Sequence, residues 1–121
     1  HQTPFIPANQ VELARLAQML EYIHTHSESV ISLEKLGEQV HLSREVCCRL
    51  FRKMTGKTVT QYLEEYRAIQ SLSLVESGQY SMTQIADLVG FSNASRFAAA
   101  FRRQFGCNPG EYNSRKQQER R

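Results

Sequence analysis

The sequence lacks the features of several protein classes. Its 121 residues contain no apolar run near the roughly 18 residues that indicate a membrane-spanning helix. No basic start precedes an apolar segment, so no secretory signal is predicted. A glycine-rich phosphate loop is missing, as is a set of nucleophile, base and orienting residue, and we therefore do not expect an enzyme. Because the chain opens at His1 rather than Met, we expect a fragment of a longer protein.

Cysteine is scarce and is not spaced as in a disulfide framework. There are three cysteines, of which Cys47 and Cys48 are adjacent, and this favours a reduced, cytoplasmic location. His24, His26, His41 and Cys107 lack metal-site spacing, so neither a metal nor a cofactor is expected. Hydrophobic residues still make up 40% of the chain, enough to bury a core.

Positive charge is concentrated in the later part of the chain. The net charge is −3 over residues 1–40, +2 over residues 41–80 and +4 over residues 81–121. This asymmetry predicts one face that meets phosphates and another that meets protein or water.

Apolar spacing and capping residues predict an all-α chain. The predicted helix N-caps are Asn9, Ser32, Ser43, Thr58, Ser81 and Asn108, and the predicted C-terminal glycines are Gly56 and Gly78. Gly37 is expected to permit close packing within the second helix. The expected core positions are Val11, Leu16, Met19, Leu20, Ile23, Leu33, Leu36, Val40, Cys47, Leu50, Phe51, Met54, Tyr62, Leu63, Tyr66, Ile69, Leu74, Met82, Ile85, Val89, Phe91, Phe97, Phe101 and Phe105.

An internal repeat organises these helices. Met82, Ile85, Val89 and Phe91 follow Leu33, Leu36, Val40 and Leu42 by 49 positions. After one extra residue in the turn, Asn93, Phe97, Ala100, Phe101, Gly106 and Tyr112 follow Ser43, Cys47, Leu50, Phe51, Gly56 and Tyr62 by 50 positions. Matching roles at ten positions indicate a copied helix-turn-helix unit.

The repeat predicts a seven-helix tandem helix-turn-helix domain, with two three-helix units joined by a long linker helix. The expected segments are an extended linker at 1–8, a first subdomain at 9–57, the linker helix at 58–78, a second subdomain at 79–116 and a disordered tail at 117–121. A linker of about 18 residues is roughly 27 Å long, near the ~34 Å between successive major-groove turns on one DNA face. One chain could therefore place two recognition helices in adjacent major grooves.

The run from Ile85 to Tyr112 resembles the signature of the AraC/XylS family of bacterial transcription regulators. The positions that carry the resemblance are Ile85, Ala86, Val89, Gly90, Phe91, Ser92, Phe97, Phe101, Arg102, Arg103, Phe105, Gly106, Pro109, Glu111 and Tyr112. The resemblance implies a two-headed DNA-binding domain over Val11 to about Arg115, with double-stranded DNA as partner and effector sensing by a domain absent from this chain. Three positions depart from the family pattern: Ser71, Ala99 and Asn113.

Candidate base contacts follow from the outward faces of the two predicted recognition helices. Arg49 is expected to contact guanine and Glu45 to accept from cytosine, with a solvated Glu45–Arg49 ion pair as the alternative. The predicted base-contacting residues are Glu45, Cys48, Arg49, Asn93, Ser95 and Arg96. Ala99 stands where many relatives carry a basic residue, so the second helix is expected to grip backbone more than bases.

Basic residues near the helix ends are candidate phosphate ligands. They are Arg44, Arg52, Lys53, Lys57, Arg102 and Arg103. Two other functions stay open. One is a helical protein-interaction module that docks a protein such as RNA polymerase through Glu34, Glu38 or the acidic first helix. The other is a redox switch built on Cys48.

Overall fold

The computed structural model describes the backbone of residues 6–119 and the side chains of residues 10–116, 118 and 119. Every regular element in this part of the chain is helical. The helices are α1 (Ile6–His26), α2 (Leu33–Gln39), α3 (Arg44–Thr55), α4 (Val59–Gln70), α5 (Leu72–Ser77), α6 (Met82–Val89), α7 (Ala94–Phe105) and α8 (Pro109–Glu119). If α4 and α5 are counted as one linker helix, the predicted all-α, seven-helix architecture is confirmed.

The predicted linker helix is divided at Ser71. Its φ of −72° and ψ of −16° are still helical, and its backbone N–H donates to the Arg67 carbonyl at 3.0 Å. The Ser71 hydroxyl donates to the Ala68 carbonyl at 2.6 Å, a back-bond of the kind that bends helices. Ser71 is also fully buried. The departure from the family pattern at this position therefore coincides with the break between α4 and α5.

Most of the predicted helix caps are present. Ser32, Ser43 and Ser81 accept hydrogen bonds from backbone N–H groups three residues ahead, and Ser81 with Gln84 forms a complete capping box. Reciprocal bonds also join Thr58 to Gln61 and Asn108 to Glu111. These bonds satisfy N–H groups that have no partner within the helix, which explains why the helices begin there.

Both ends of the described chain differ from prediction. The N-cap prediction for Asn9 was wrong, because α1 begins at Ile6 and includes Pro7. Proline is tolerated in a first helical turn, where its missing N–H would have no partner in any case. The disordered tail predicted at 117–121 was wrong for residues 117–119, since α8 continues to Glu119. Residues 1–5 of the predicted linker and residues 120–121 of the predicted tail lie outside the described residues.

The chain is divided into two compact units. The first unit comprises the chain up to His26 together with Val30–Tyr62, and the second comprises Ser27–Ser29 together with the chain from Leu63 onward. In the first unit the buried apolar residues are Met19, Ile23, Leu36, Val40, Cys47, Leu50, Phe51 and Val59. In the second unit one cluster of buried residues comprises Ala68, Val75, Ile85, Ala86, Val89, Phe91, Phe97, Ala100 and Phe101, and Leu63 and Cys107 are buried as well. Each fully buried phenylalanine contributes about 1.5–3 kcal/mol by leaving water.

Three expected core residues are exposed instead. Val11 is 50% exposed, Ile69 47% and Met82 37%. In the last turn of α4 the buried residue is Ala68, one position before Ile69. Successive helical residues point about 100° apart, so an error of one position moves a side chain off the core face.

The structure reproduces the internal repeat. Helices α3 and α7 each have 12 residues, and their C-terminal glycines, Gly56 and Gly106, have φ angles of 78° and 81°. His41 and Gly90, 49 positions apart, both adopt positive φ, at 61° and 107°. Both turns therefore contain one left-handed residue, a histidine in the first and a glycine in the second.

Candidate nucleic-acid interface

Helix α3 has one buried apolar face and one exposed polar face. Its N-cap hydroxyl, Ser43 Oγ, accepts from the Val46 N–H at 3.3 Å and sets where the helix starts. The buried residues are Cys47, Leu50 and Phe51. The exposed residues include Arg44, Glu45, Arg49, Arg52 and Lys53. The structure thus places Glu45, Arg49 and Arg52 on the exposed side of the predicted recognition helix.

A groove of about 320 Å³ runs beside this exposed face, within the first unit. Two guanidinium groups line it, those of Arg49 and Arg52, and so does the half-buried thiol of Cys48. Its other lining residues are Leu33, Thr58, Val59 and Thr60. The N-terminus of α4 therefore forms part of the groove wall. Two cations and a positive helix end favour an anionic ligand.

The Glu45 and Arg49 side chains do not pair with each other. In the part of the chain that the structure describes, no ion pair joins these two residues, although they stand one turn apart. The alternative of a solvated ion pair between them is therefore not observed. Arg49 remains exposed.

Helix α7 repeats the arrangement with a less polar surface. The Asn93 Oδ1 accepts from the Arg96 N–H at 2.9 Å, so the carboxamide oxygen of Asn93 caps the helix. Phe97, Ala100 and Phe101 are buried. On the other side, Ser95, Arg96, Ala99, Arg102 and Arg103 are exposed, and Ala94 and Ala98 are half-buried. Ala98 and Ala99 occupy the positions of Cys48 and Arg49 in α3, so the middle of this surface offers methyl groups alone.

Four of the predicted DNA-contacting cations have carboxylate partners. Arg44 lies 3.2 Å from Glu34, and Lys53 lies 3.1 Å from Glu12. Arg96 and Arg103 share Glu64, at 3.7 Å and 2.9 Å. The Arg44–Glu34 pair, in which both side chains are more than half exposed, contributes about 0–1 kcal/mol, so a phosphate can compete for Arg44. The other two carboxylates are less exposed, at 31% for Glu12 and 21% for Glu64.

The remaining predicted phosphate ligands differ in their surroundings. Within the described residues no carboxylate pairs with Arg52 or Arg102, and both are exposed. Lys57 is half-buried, just ahead of the N-cap Thr58. Arg52 is the one of these three that lines the groove.

Sequence reasoning missed Arg67, which joins the segment Ser27–Ser29 to the rest of the second unit. Its Nε donates to the Ser27 carbonyl at 2.7 Å, its Nη2 donates to the Ser29 carbonyl at 2.8 Å, and its guanidinium lies 5.9 Å from the centre of the Phe91 ring. Burial lowers the pKa of Arg67 from its ordinary value, while the nearby Glu64 charge opposes that shift. These partners lie far away in the sequence, so no local motif could have indicated them.

The described residues contain no group of three or more histidine, cysteine or acidic side chains placed to hold a metal ion. The His24 Nε2 instead lies 2.6 Å from the Tyr62 hydroxyl. None of the described helices has the length and apolarity required to cross a membrane.

The fold and this surface define a class, the helix-turn-helix domain. Residues 36–115 match the family described by that name. The chain is also 32% identical over 111 residues to the uncharacterized HTH-type transcriptional regulator YdeC of Bacillus subtilis (strain 168). The match covers 92% of this chain and 38% of that protein, so the chain spans less than half the length of this relative.

Solved structures share the fold. The DNA-binding domain of AdpA, a global transcriptional factor crystallised with a target DNA, has a TM-score of 0.77 and 30% identity, over 87% of this chain and 95% of that chain. A probable AraC family transcriptional regulator from Rhodopseudomonas palustris CGA009 also has a TM-score of 0.77, with 27% identity over 84% of this chain and 96% of that one. The chain belongs to the AraC/XylS family of transcription regulators. Membership confirms the resemblance seen in Ile85 to Tyr112, and the expectation that the chain is not an enzyme.

Proposed function

We propose that this chain is the DNA-binding domain of a bacterial transcription regulator and binds double-stranded DNA with α3 and α7. Support comes from family membership and from a 30% identical domain whose crystal structure includes a target DNA. In the major groove an α-helix can present side chains to base edges, and both helices have an exposed face for this purpose. A bacterial protein that binds chromosomal DNA works in the cytoplasm.

The two helices contribute unequally. The observation that carries this proposal is the contrast between Arg49 in α3 and Ala99 at the matching position of α7, both exposed. Arginine can donate two hydrogen bonds to guanine, whereas alanine offers a methyl contact to thymine. Helix α3 therefore supplies most base contacts, through Glu45, Cys48 and Arg49. Helix α7 supplies mostly backbone contacts, with Asn93 and Ser95 as further candidates.

The phosphate contacts surround both helices. The proposed ligands are Arg44, Arg52, Lys53, Lys57, Arg102 and Arg103, with Arg96 joining them from α7. The tandem arrangement lets one chain engage two adjacent major grooves without a partner copy. Effector sensing belongs to a separate domain, which is supported by the greater length of the curated relative.

The experiment is selection of bound sequences from a random duplex pool, followed by affinity measurements on the selected site. In Arg49→Ala, base preference should relax at one position of the site, with a loss of about 1–3 kcal/mol in discrimination there. In Arg96→Ala, affinity should fall for all sequences alike, because a phosphate contact carries no sequence information.

The exposed Arg115 of α8 provides a charge-matched control outside the recognition helices. Arg115→Ala removes the same charge and should leave the selected site unchanged. Equal loss of discrimination in Arg49→Ala and Arg96→Ala would refute the unequal roles of the two helices. Failure of the unmodified chain to bind any duplex would refute DNA binding itself.

RNA polymerase is a second proposed partner. On α2, Glu38 is exposed, while Glu34 pairs with Arg44. Glu38→Ala should then leave duplex affinity unchanged and lower activated transcription in a reconstituted assay. The thiol switch on Cys48 makes a different prediction, namely that blocking this thiol changes DNA binding. Unchanged binding after the block would exclude it.

A further inference from the structure

Glu64 lies between two arginines of α7. Its Oε1 accepts a hydrogen bond from the Arg103 Nη2 at 2.9 Å. Its Oε2 lies 3.7 Å from the Arg96 Nη1, too far for a hydrogen bond but within range of charge attraction. Arg96 and Arg103 are seven residues apart, two helical turns on one side of α7, so a single carboxylate faces both.

The three side chains differ in exposure. The Glu64 side chain is 21% exposed, whereas those of Arg96 and Arg103 are 64% and 63% exposed. A largely desolvated carboxylate is unfavourable without a cationic partner. If a DNA phosphate drew both arginines away, Glu64 would keep only the longer-range attraction of the Arg67 charge and would lie beside another negative charge. At least one arginine should therefore stay on Glu64 when DNA binds.

The distances indicate which arginine stays. Arg103 makes the shorter contact, a charge-assisted hydrogen bond, which is the stronger kind. Arg96 has only the long contact to Glu64. We propose that Glu64 is a positioning residue, which retains Arg103 on the protein and leaves Arg96 to contact a DNA phosphate. This inference rests on the proposed DNA binding, and it removes Arg103 from the phosphate ligands predicted above.

Salt dependence of duplex affinity tests the proposal, because log K falls as log salt concentration rises, and each phosphate contact makes this slope steeper by about 0.9. The measurement is fluorescence anisotropy of a labelled duplex across a series of KCl concentrations. Arg96→Ala should make the slope shallower by about 0.9, and Arg103→Ala should leave it unchanged.

The Glu64 variant gives the opposite result. Glu64→Gln should make the slope steeper by about 0.9, because the released Arg103 then meets a phosphate. Adding Arg103→Ala to Glu64→Gln should return the slope to that of the unmodified chain. Asp87→Asn is the control, since it removes one negative charge from an exposed position of α6 in the same unit and should leave the slope unchanged. Circular dichroism verifies that each variant is folded.

The possible outcomes separate this inference from the proposed function. A slope that falls as much in Arg103→Ala as in Arg96→Ala would overturn the positioning role alone. An equal change in Glu64→Gln and Asp87→Asn would do the same, because it would show that only the net charge of the chain matters. Absence of salt-dependent duplex binding by the unmodified chain would overturn both proposals.

Discussion

The carbonyl oxygen of Ser27 occupies the space that a β carbon on Gly90 would need. The Arg67 Nε, which donates to the same carbonyl, lies 2.7 Å from that position. Gly90 also has a φ of 107°, a left-handed conformation that residues with a β carbon rarely adopt. Both the lack of space and the backbone conformation therefore disfavour a residue with a β carbon at Gly90.

Gly90→Ala should lower the free energy of unfolding by about 2–4 kcal/mol, as the sum of overlap and backbone strain. Gly106→Ala is the control in the same unit, because its φ is 81° but its β carbon would meet nothing within 4 Å. We expect the control to lose about 1 kcal/mol. Urea unfolding followed by circular dichroism measures both, and equal losses would contradict the packing argument.

His41 holds the matching left-handed position in the first turn, with a φ of 61°. Replacement by glycine relieves about 1–2 kcal/mol of strain and adds about 0.5–1 kcal/mol of unfolded-state entropy. His41→Gly should therefore stabilise the chain by about 0.5 kcal/mol, seen as a higher melting temperature. His41→Ala keeps a β carbon and should not stabilise. An equal gain in both variants would show that strain is not the cause.

Ser71→Ala should change the free energy of unfolding by less than about 0.5 kcal/mol. The lost hydroxyl bond to the Ala68 carbonyl is offset by better helix propensity, and the Ser71 backbone N–H still lies 3.2 Å from that carbonyl. Ser71→Val, by contrast, adds volume at a fully buried site and should destabilise by about 1–3 kcal/mol. Thermal unfolding of both variants tests this, and a large loss in Ser71→Ala would show that the hydroxyl is structurally required.

The three thiols should differ in reactivity. Cys47 and Cys107 are buried, and the Cys47 Sγ lies 3.2 Å from the Met19 Sδ, while Cys48 is half-buried beside the groove. A thiol reagent should modify Cys48 first and the other two only on unfolding, and Cys48→Ser should abolish the fast reaction. If α3 enters the major groove of DNA, bound duplex should slow the labelling of Cys48. A fast phase that persists in Cys48→Ser would contradict this placement.

The same burial makes stability depend on pH. Desolvation, with a smaller effect of Cys48, raises the pKa of Cys47 from its ordinary 9.0 to about 11. Since the folded-state pKa is the higher one, the contribution of the protonated thiol is fully present below pH 9 and is lost as pH rises towards 11. The urea midpoint should fall over this range, and the fall should be smaller in Cys47→Ala. An identical pH profile in both proteins would assign the loss to other groups.

The sequence by itself determined the local events of folding. Capping residues such as Ser43 and Ser81 act on N–H groups three positions away, so their effect can be inferred from adjacent residues. The repeat at offsets of 49 and 50 could be recognised for the same reason, because spacing and turn residues are local. The family signature followed from these features.

Only the tertiary structure decided which charged side chains pair with residues far away in the sequence. It also decided which residues of each helix face the core. Arg67 bonds to Ser27, 40 residues earlier, and Arg103 bonds to Glu64, 39 residues earlier. Helical periodicity specifies a face to within about one position, which is why Ile69 was expected in the core where Ala68 lies. Contacts of this kind depend on how separate helices pack, and that packing is set by shape and desolvation rather than by spacing along one helix.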